Sequence, residues 1–148
     1  MSAGARFKSL LAVQKQRVDR AMADVLEKNG ALRQQELQRE VARERAQEAV
    51  VAYRLEQQRL TESVVSGVLA VRLAGASSRC ETQRALIAET AQALVAAEDL
   101  VTAAEATAAG ARATYRRTLA RQDALLSLQA SWRKTDAQRA LRLEEQDA

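Results

Sequence analysis

Hydrophobic residues recur at every seventh position through the first half of the chain. This row comprises Leu11, Val18, Val25, Leu32, Ala46, Tyr53 and Leu60, and Arg39 is its one interruption. A companion row, four residues later, comprises Lys15, Met22, Asn29, Glu36, Arg43, Val50, Gln57, Val64 and Val71. Alternating steps of three and four residues, sustained over this many turns, predict a coiled coil rather than an ordinary amphipathic helix.

The second half carries two rows of the same kind. One comprises Ile87, Leu94, Val101, Ala108 and Tyr115. The other comprises Thr90, Ala97, Ala104, Ala111, Thr118, Leu125 and Trp132. Between Ala97 and Ala111 the residues are mostly small, which predicts that two helix backbones approach each other closely there.

Residues typical of a helix end, followed by residues typical of a helix start, separate the two halves. Gly75 can adopt the left-handed conformation that ends a helix, and Ser78 with Glu81 forms the pattern of a capping box. No proline occurs in the 148 residues, so a long helix is permitted on either side. We therefore predict an all-α, single-domain fold, a long antiparallel two-helix coiled-coil hairpin with helix one at about 5–73, a hinge at 74–78 and helix two at about 79–144.

A hairpin folded at this hinge brings together residues whose numbers add to about 152. Leu11 is then expected near Leu141, and Trp132 near Arg20, with an arginine stacked on the indole. The alternative use of Trp132 is an exposed anchor for a partner. At about 1.5 Å per residue, the predicted hairpin is roughly 100 Å long.

Composition and charge agree with paired helices more than with a thick globular core. Hydrophobic residues make up 47% of the chain, but 32 of them are alanine and only 3% of the chain is aromatic. The net charge is +4, and the surplus lies mainly in the first twenty residues, with a second basic block at 112–121. These blocks are either solvated surface or a basic end that meets an acidic partner or polyphosphate.

The residue types needed for catalysis and metal binding are scarce. The chain has no histidine, no nucleotide-binding glycine loop and one cysteine, Cys80, which we expect to be a buried structural thiol in a reducing compartment. We therefore expect no enzymatic activity and no cofactor. The longest uncharged run, 63–71, is too short to cross a bilayer, and the apolar stretch at 10–13 is too short for a signal peptide. A soluble, cytoplasmic protein is the expectation.

The first residues resemble the start of a known family. The run Arg6-Phe7-Lys8-Ser9-Leu10-Leu11-Ala12-Val13-Gln14-Lys15-Gln16-Arg17 is similar to the opening of the FliJ/YscO-type stalk proteins of bacterial type III secretion. Those proteins begin with a Phe-x-x-Leu-Leu-x-(Val/Leu)-(Arg/Lys) run and commonly end in an acidic tail, which residues 143–148 resemble. The resemblance extends over the whole chain in length, hairpin symmetry and charge.

The resemblance implies a non-enzymatic stalk similar to the central shaft of the rotary ATPase γ subunit. The end carrying both termini would enter the central hole of the hexameric export ATPase, promote its activity and couple it to the export gate in the membrane. The residues implied to face the ATPase are Arg6, Phe7, Lys8, Leu10, Leu11, Lys15, Arg17, Arg20, Trp132, Arg133 and Lys134. Those implied to meet the gate or secretion chaperones near the hinge are Val64, Val68, Val71, Arg72, Arg79 and Arg84. The resemblance further implies a monomer without membrane insertion, peripheral to the inner-membrane apparatus of a flagellum or an injectisome.

Two other function classes fit the same pattern. A generic coiled-coil adaptor or secretion-chaperone-binding protein would have the same rows but no effect on any ATPase. A nucleic-acid binder would use the basic block at 112–121 and the basic N-terminal residues. These basic blocks are short and alternate with acidic stretches along the chain, so the chain lacks a continuous basic face and we expect no nucleic-acid partner.

Overall fold

The computed structural model describes residues 2–67 and 70–148, and two helices account for almost all of them. Helix α1 spans Ala3–Val65 and helix α2 spans Ala70–Asp147, with 63 and 78 residues. Both are rich in Ala, Leu, Arg, Glu and Gln, which are strong helix formers, and neither contains proline. The predicted all-α fold, with two long helices packed as a hairpin, is confirmed.

Helix α1 ends at a turn that contains Ser66 and Gly67. The backbone N–H of Ser66 donates to the carbonyl of Glu62 at 2.9 Å, and the Ser66 hydroxyl donates to the same carbonyl at 2.8 Å. Gly67 has a φ of 70°, the left-handed region in which a side chain would be strained. The turn therefore begins at Ser66, directly after the last residue of α1, and the conformation of Gly67 prevents the helix from continuing.

This turn corrects the predicted position of the hinge. Gly75 and Ser78 lie inside α2, where the carbonyl of Ser78 accepts a hydrogen bond from the Thr82 hydroxyl at 3.1 Å. The residues at 74–78 permit a helix end but do not require one. Packing continues through them, because Ala76 and Cys80 are both buried.

The chain divides into two units, and each pairs a segment of α1 with a segment of α2. The terminal unit comprises Met1–Asn29 and Thr107–Ala148, and the turn unit comprises Gly30–Ala106. In the terminal unit the buried apolar residues are Ala21, Val25, Ala108 and Ala111. In the turn unit they are Ala49, Ala76, Cys80 and Val101. Both cores consist mainly of small side chains, so the stabilisation per layer is modest and depends on close approach of the backbones.

The packed positions on α2 are the two rows expected from the sequence, since every residue of both rows is buried or half-buried. The main row of α1 is likewise packed, including Arg39. The companion row of α1 is corrected by one residue, because the packed side chains lie three residues after the main row and not four. This companion row comprises Gln14, Ala21, Lys28, Gln35, Ala42, Ala49 and Glu56. A companion row three residues after the main row and one four residues after it both fit the alternating steps of a coiled coil. The observed row contains Ala21, Ala42 and Ala49, whose small side chains allow closer contact with α2.

The pairing of residues across the helices also differs from the expectation. In the terminal unit Gln14 contacts Thr118 and Phe7 contacts Trp132, while in the turn unit Tyr53 contacts Arg84. These numbers add to 132–139 instead of about 152, a displacement of about two heptads. Leu141, expected near Leu11, is 60% exposed.

Candidate functional site

Two aromatic rings meet where α1 begins. The ring centroids of Phe7 and Trp132 are 5.9 Å apart, and the ring planes are tilted by 36°. Both residues lie on the packed rows and are half-buried. The expected packing of Trp132 between the helices is therefore observed, but its neighbour is Phe7 and not Arg20. Tilted ring pairs at this separation add favourable contact energy beyond the area that they bury.

Two open clefts adjoin Trp132. One cleft, of about 330 Å³, is formed with Phe7, Leu128 and Thr135. The other, also of about 330 Å³, is formed with Gly4 and Lys8. The half-buried ring thus presents surface to two clefts, an arrangement that suits contact with a side chain of a partner.

Seven cationic side chains lie along the terminal unit, which also contains this aromatic pair. They are Arg6, Lys8, Lys15, Arg17, Arg20, Arg133 and Lys134, and all are exposed. None of them makes a salt bridge or side-chain hydrogen bond with another described residue. We call these cations, together with Phe7, Leu10, Leu11 and Trp132, the terminal surface. Their charge is available to a partner because no internal carboxylate neutralises it.

The terminal surface includes two leucines with different environments. Leu11 lies on the packed row and is half-buried, whereas Leu10 is 53% exposed. Gln14, which the hydrophobic pattern did not indicate, is only 4% exposed, and its side-chain amide donates to the Thr118 carbonyl at 2.9 Å. Its position three residues after Leu11 was the available signal. The hydrogen bond fixes how the helices meet beside the terminal surface.

Helix α2 continues beyond the part of the terminal unit that α1 can cover. Every residue from 133 to 148 is exposed. This segment carries the exposed Leu141 and Leu143 and ends in the acidic residues Glu144, Glu145 and Asp147. It has no packed face, because Phe7 near the start of α1 already pairs with Trp132.

The second candidate surface lies beside the turn. Val64 and Val71 are 61% and 83% exposed, and Arg72 is also exposed. Val68, expected at this surface, lies outside the described residues. We call Val64, Val71 and Arg72, together with Arg79 and Arg84, the turn surface.

Arg79 and Arg84 of the turn surface are engaged with α1. The Nε of Arg79 donates to Glu56 at 3.2 Å, and Glu56, whose side chain is 12% exposed, also pairs with Arg59 at 3.1 Å. Arg84 donates to the Tyr53 hydroxyl at 3.1 Å, and this hydrogen bond raises the pKa of Arg84. The guanidinium carbon also lies 5.8 Å from the centre of the Tyr53 ring. These two arginines contact α1 across the unit and therefore present less free charge than the cations of the terminal surface.

Two further observations concern the described residues as a set. No three of their histidine, cysteine, aspartate and glutamate side chains cluster in a way that could hold a metal ion. No helix among them is long and apolar enough to cross a membrane.

No family model and no curated protein matches the sequence. The fold is similar to that of a solved structure from Chlamydia trachomatis, CT670, which is described as a proposed YscO homologue. The TM-score is 0.85 at 18% sequence identity, and the match covers 94% of this chain and 86% of that one. At this identity the likeness is one of fold, and it extends over most of both chains.

Proposed function

We propose that the chain is a non-enzymatic stalk component of a type III secretion export apparatus, of the FliJ/YscO type. Its terminal surface enters the central hole of the hexameric export ATPase and promotes nucleotide turnover. The protein acts in the cytoplasm, peripheral to the inner-membrane apparatus, and couples the ATPase to the export gate.

The observation that carries this proposal is the exposed, unpaired charge of the terminal surface. Seven exposed cations without internal partners lie in the same unit as the Phe7–Trp132 pair. A stalk inside a ring needs polar contacts that are weak and exchangeable, and exposed charges of this kind provide them. The fold similarity to CT670 and the N-terminal run from Arg6 to Arg17 also support the proposal.

The turn surface is proposed to meet the export gate or a secretion chaperone. Val71 at 83% exposure and Val64 at 61% are unusually accessible for valines in helices. Such a surface would let the turn unit contact a second component while the terminal surface holds the ATPase.

The test is stimulation of the cognate export ATPase by the purified protein. The double variant Arg17→Glu with Arg20→Glu should stimulate less than wild type, and added salt should reproduce the defect because screening acts over about 10 Å at 0.1 M. The matched control is Arg33→Glu with Arg54→Glu, which makes the same change of charge at exposed positions of α1 in the turn unit.

Equal stimulation by both double variants would show that the terminal surface does not meet the ATPase. If no export ATPase responds to the wild-type protein, the proposal fails and the adaptor or chaperone-binding alternative replaces it. Circular dichroism should give the same helix content for all variants, because none of the four positions is packed.

A further inference from the structure

Four exposed arginines of the terminal unit lie on the same side of the helix pair. We call this set the arginine face, and it comprises Arg17, Arg20, Arg117 and Arg121. The side chain of Gln14 on α1 contacts Thr118 on α2. Arg17 and Arg121 follow these two residues by three positions, and the other two arginines adjoin them at spacings of three and four. Because residues at such spacings are neighbours on a helix surface, all four lie on the side of this contact.

The arginines of the two helices also lie at the same level along the unit. The aromatic contact and the glutamine contact described above join residues whose numbers add to 139 and 132. The segment of α2 opposite Arg17 is therefore 115–122, which contains both arginines that α2 contributes to the arginine face. Like charges so placed repel each other, and a partner with several negative charges would relieve the repulsion.

No carboxylate neutralises the arginine face within residues 2–67 and 70–148. None of its four members forms a salt bridge there, and their one side-chain hydrogen bond, from Arg117 to the Thr114 hydroxyl, is 3.4 Å long. Asp24, seven residues after Arg17, is already engaged with Lys28 at 3.8 Å. The four charges are therefore available to carboxylates or phosphates, both of which guanidinium groups bind in bidentate fashion.

An apolar patch lies one heptad away on the same side. Leu10 precedes Arg17 by seven residues on α1. Leu128 follows Arg121 by seven residues on α2, so the two leucines lie toward the same end of the antiparallel pair. They are 53% and 56% exposed, and Leu128 lines the cleft of about 330 Å³ beside the aromatic pair. The surface thus combines four cations with an apolar patch about 10 Å away along the helices.

This combination favours a helix of a partner protein over a phosphate compound. A phosphate compound would satisfy the arginines alone and leave Leu10 and Leu128 in water. An amphipathic helix lying along the groove between α1 and α2 can present carboxylates at spacings of three and four residues, with a leucine or aromatic residue one heptad away.

We propose that the arginine face and the apolar patch beside it form a docking site for an acidic amphipathic helix of a partner protein. The inference deepens the proposed function and rests on it in placing that partner within the export apparatus. It assigns to the terminal surface a single binding side and two further residues, Arg117 and Arg121.

Binding of a synthetic helical peptide tests the docking site without the ATPase. The probe is an alanine-rich helix with two leucines four residues apart and four glutamates that begin one heptad further on. It should bind the wild-type protein and shift the emission of Trp132, the only tryptophan of the chain, to shorter wavelength as the cleft is filled. Arg121→Glu should raise the dissociation constant of the peptide by about tenfold.

The matched control is Arg116→Glu, which makes the same change of charge on the opposite side of α2. Arg116 follows Arg112 by four residues, and Arg112 donates to Asn29 at 3.3 Å on that side. This variant should raise the dissociation constant by less than about threefold. Equal effects of the two variants would show that binding follows net charge alone and would overturn the proposal. Absence of peptide binding, an unchanged Trp132 emission, or binding of tripolyphosphate as tight as that of the peptide would overturn it too.

Stimulation of the cognate export ATPase separates this inference from the proposed function. Arg121→Glu should lower stimulation, and Arg116→Glu should leave it unchanged. If the wild-type protein stimulates and both variants do so equally, the docking site is wrong while the proposed function stands. If no export ATPase responds although the peptide binds through the arginine face, the proposed function fails while the docking site stands.

Discussion

The ring of Phe7 lies against the indole of Trp132, with centroids 5.9 Å apart, and so joins the first turns of α1 to the part of α2 that precedes its uncovered end. Because Trp132 is the only tryptophan of the chain, its fluorescence reports on this contact. The pair belongs to the terminal surface, on which the proposed function depends.

Replacement of Phe7 by alanine should expose the indole. We expect Phe7→Ala to shift the emission of Trp132 to longer wavelength, to increase quenching by acrylamide and to lower the free energy of unfolding by about 1–2 kcal/mol, less than for a fully buried ring. Leu10→Ala is the control, because Leu10 is 53% exposed and should leave the emission unchanged. An unchanged spectrum in Phe7→Ala would mean that the two rings do not meet in solution.

A charge placed on the packed row of α2 should be strongly destabilising. Val101 is 2% exposed, so Val101→Asp forces a carboxylate between the helices and should cost more than about 3 kcal/mol. Val95→Asp, at a residue that is 56% exposed, should change stability by no more than about 0.5 kcal/mol. Thermal unfolding followed by circular dichroism separates the two variants. Equal shifts of the unfolding midpoint would show that the packed face of α2 lies elsewhere.

Two glycine substitutions should have opposite signs. Gly67→Ala places a side chain on a backbone with a φ of 70° and should lower the unfolding free energy by about 1 kcal/mol. Gly75→Ala lies inside α2, where the added Cβ would meet only a flexible Arg79 atom at 3.8 Å, and should raise it by up to about 1 kcal/mol. Chemical denaturation measures both. If Gly75→Ala were destabilising and Gly67→Ala stabilising, the turn would lie at 74–78 instead.

Arg39 occupies the packed row of α1 without adequate partners. Its Nε is buried and forms no hydrogen bond, and the nearest carboxylate oxygen, of Glu40, is 3.9 Å away. Arg39→Leu should therefore raise the free energy of unfolding by about 1–2 kcal/mol, since it removes the unpaired donor and adds apolar contact. Arg43→Leu should bring no gain, because Arg43 is hydrogen-bonded to Glu40 at the surface. A loss of stability in Arg39→Leu would indicate that the guanidinium finds a partner in solution.

Much of the local organisation could be predicted from the amino-acid sequence. Both packed rows of α2 and the main row of α1 follow from the seven-residue spacing of apolar side chains, as Leu94 and Val25 illustrate. The absence of proline and the helix-forming composition predicted two long helices. The exposed state of Arg17 and Arg20 also agrees with their spacing, because both lie off the packed rows.

Other features depend on contacts between residues distant in the chain. Gln14 lies three residues after Leu11, but its polar side chain adds nothing to the hydrophobic pattern that would indicate a packed position. The pairings of Arg79 with Glu56 and of Arg84 with Tyr53 require the position of the turn, which the sequence pattern did not reveal.

The sequence by itself determined the helical class and which face of α2 is packed, because these depend on local propensity and on a spacing of seven residues. Only the tertiary structure decided that Phe7 meets Trp132, that Gly67 and not Gly75 ends a helix, and that Gln14 rather than Lys15 is packed. A seven-residue pattern is almost unchanged when one helix slides past the other by a whole number of heptads. The choice among such registers therefore depends on the summed packing of small side chains, on buried polar contacts and on where the chain can turn.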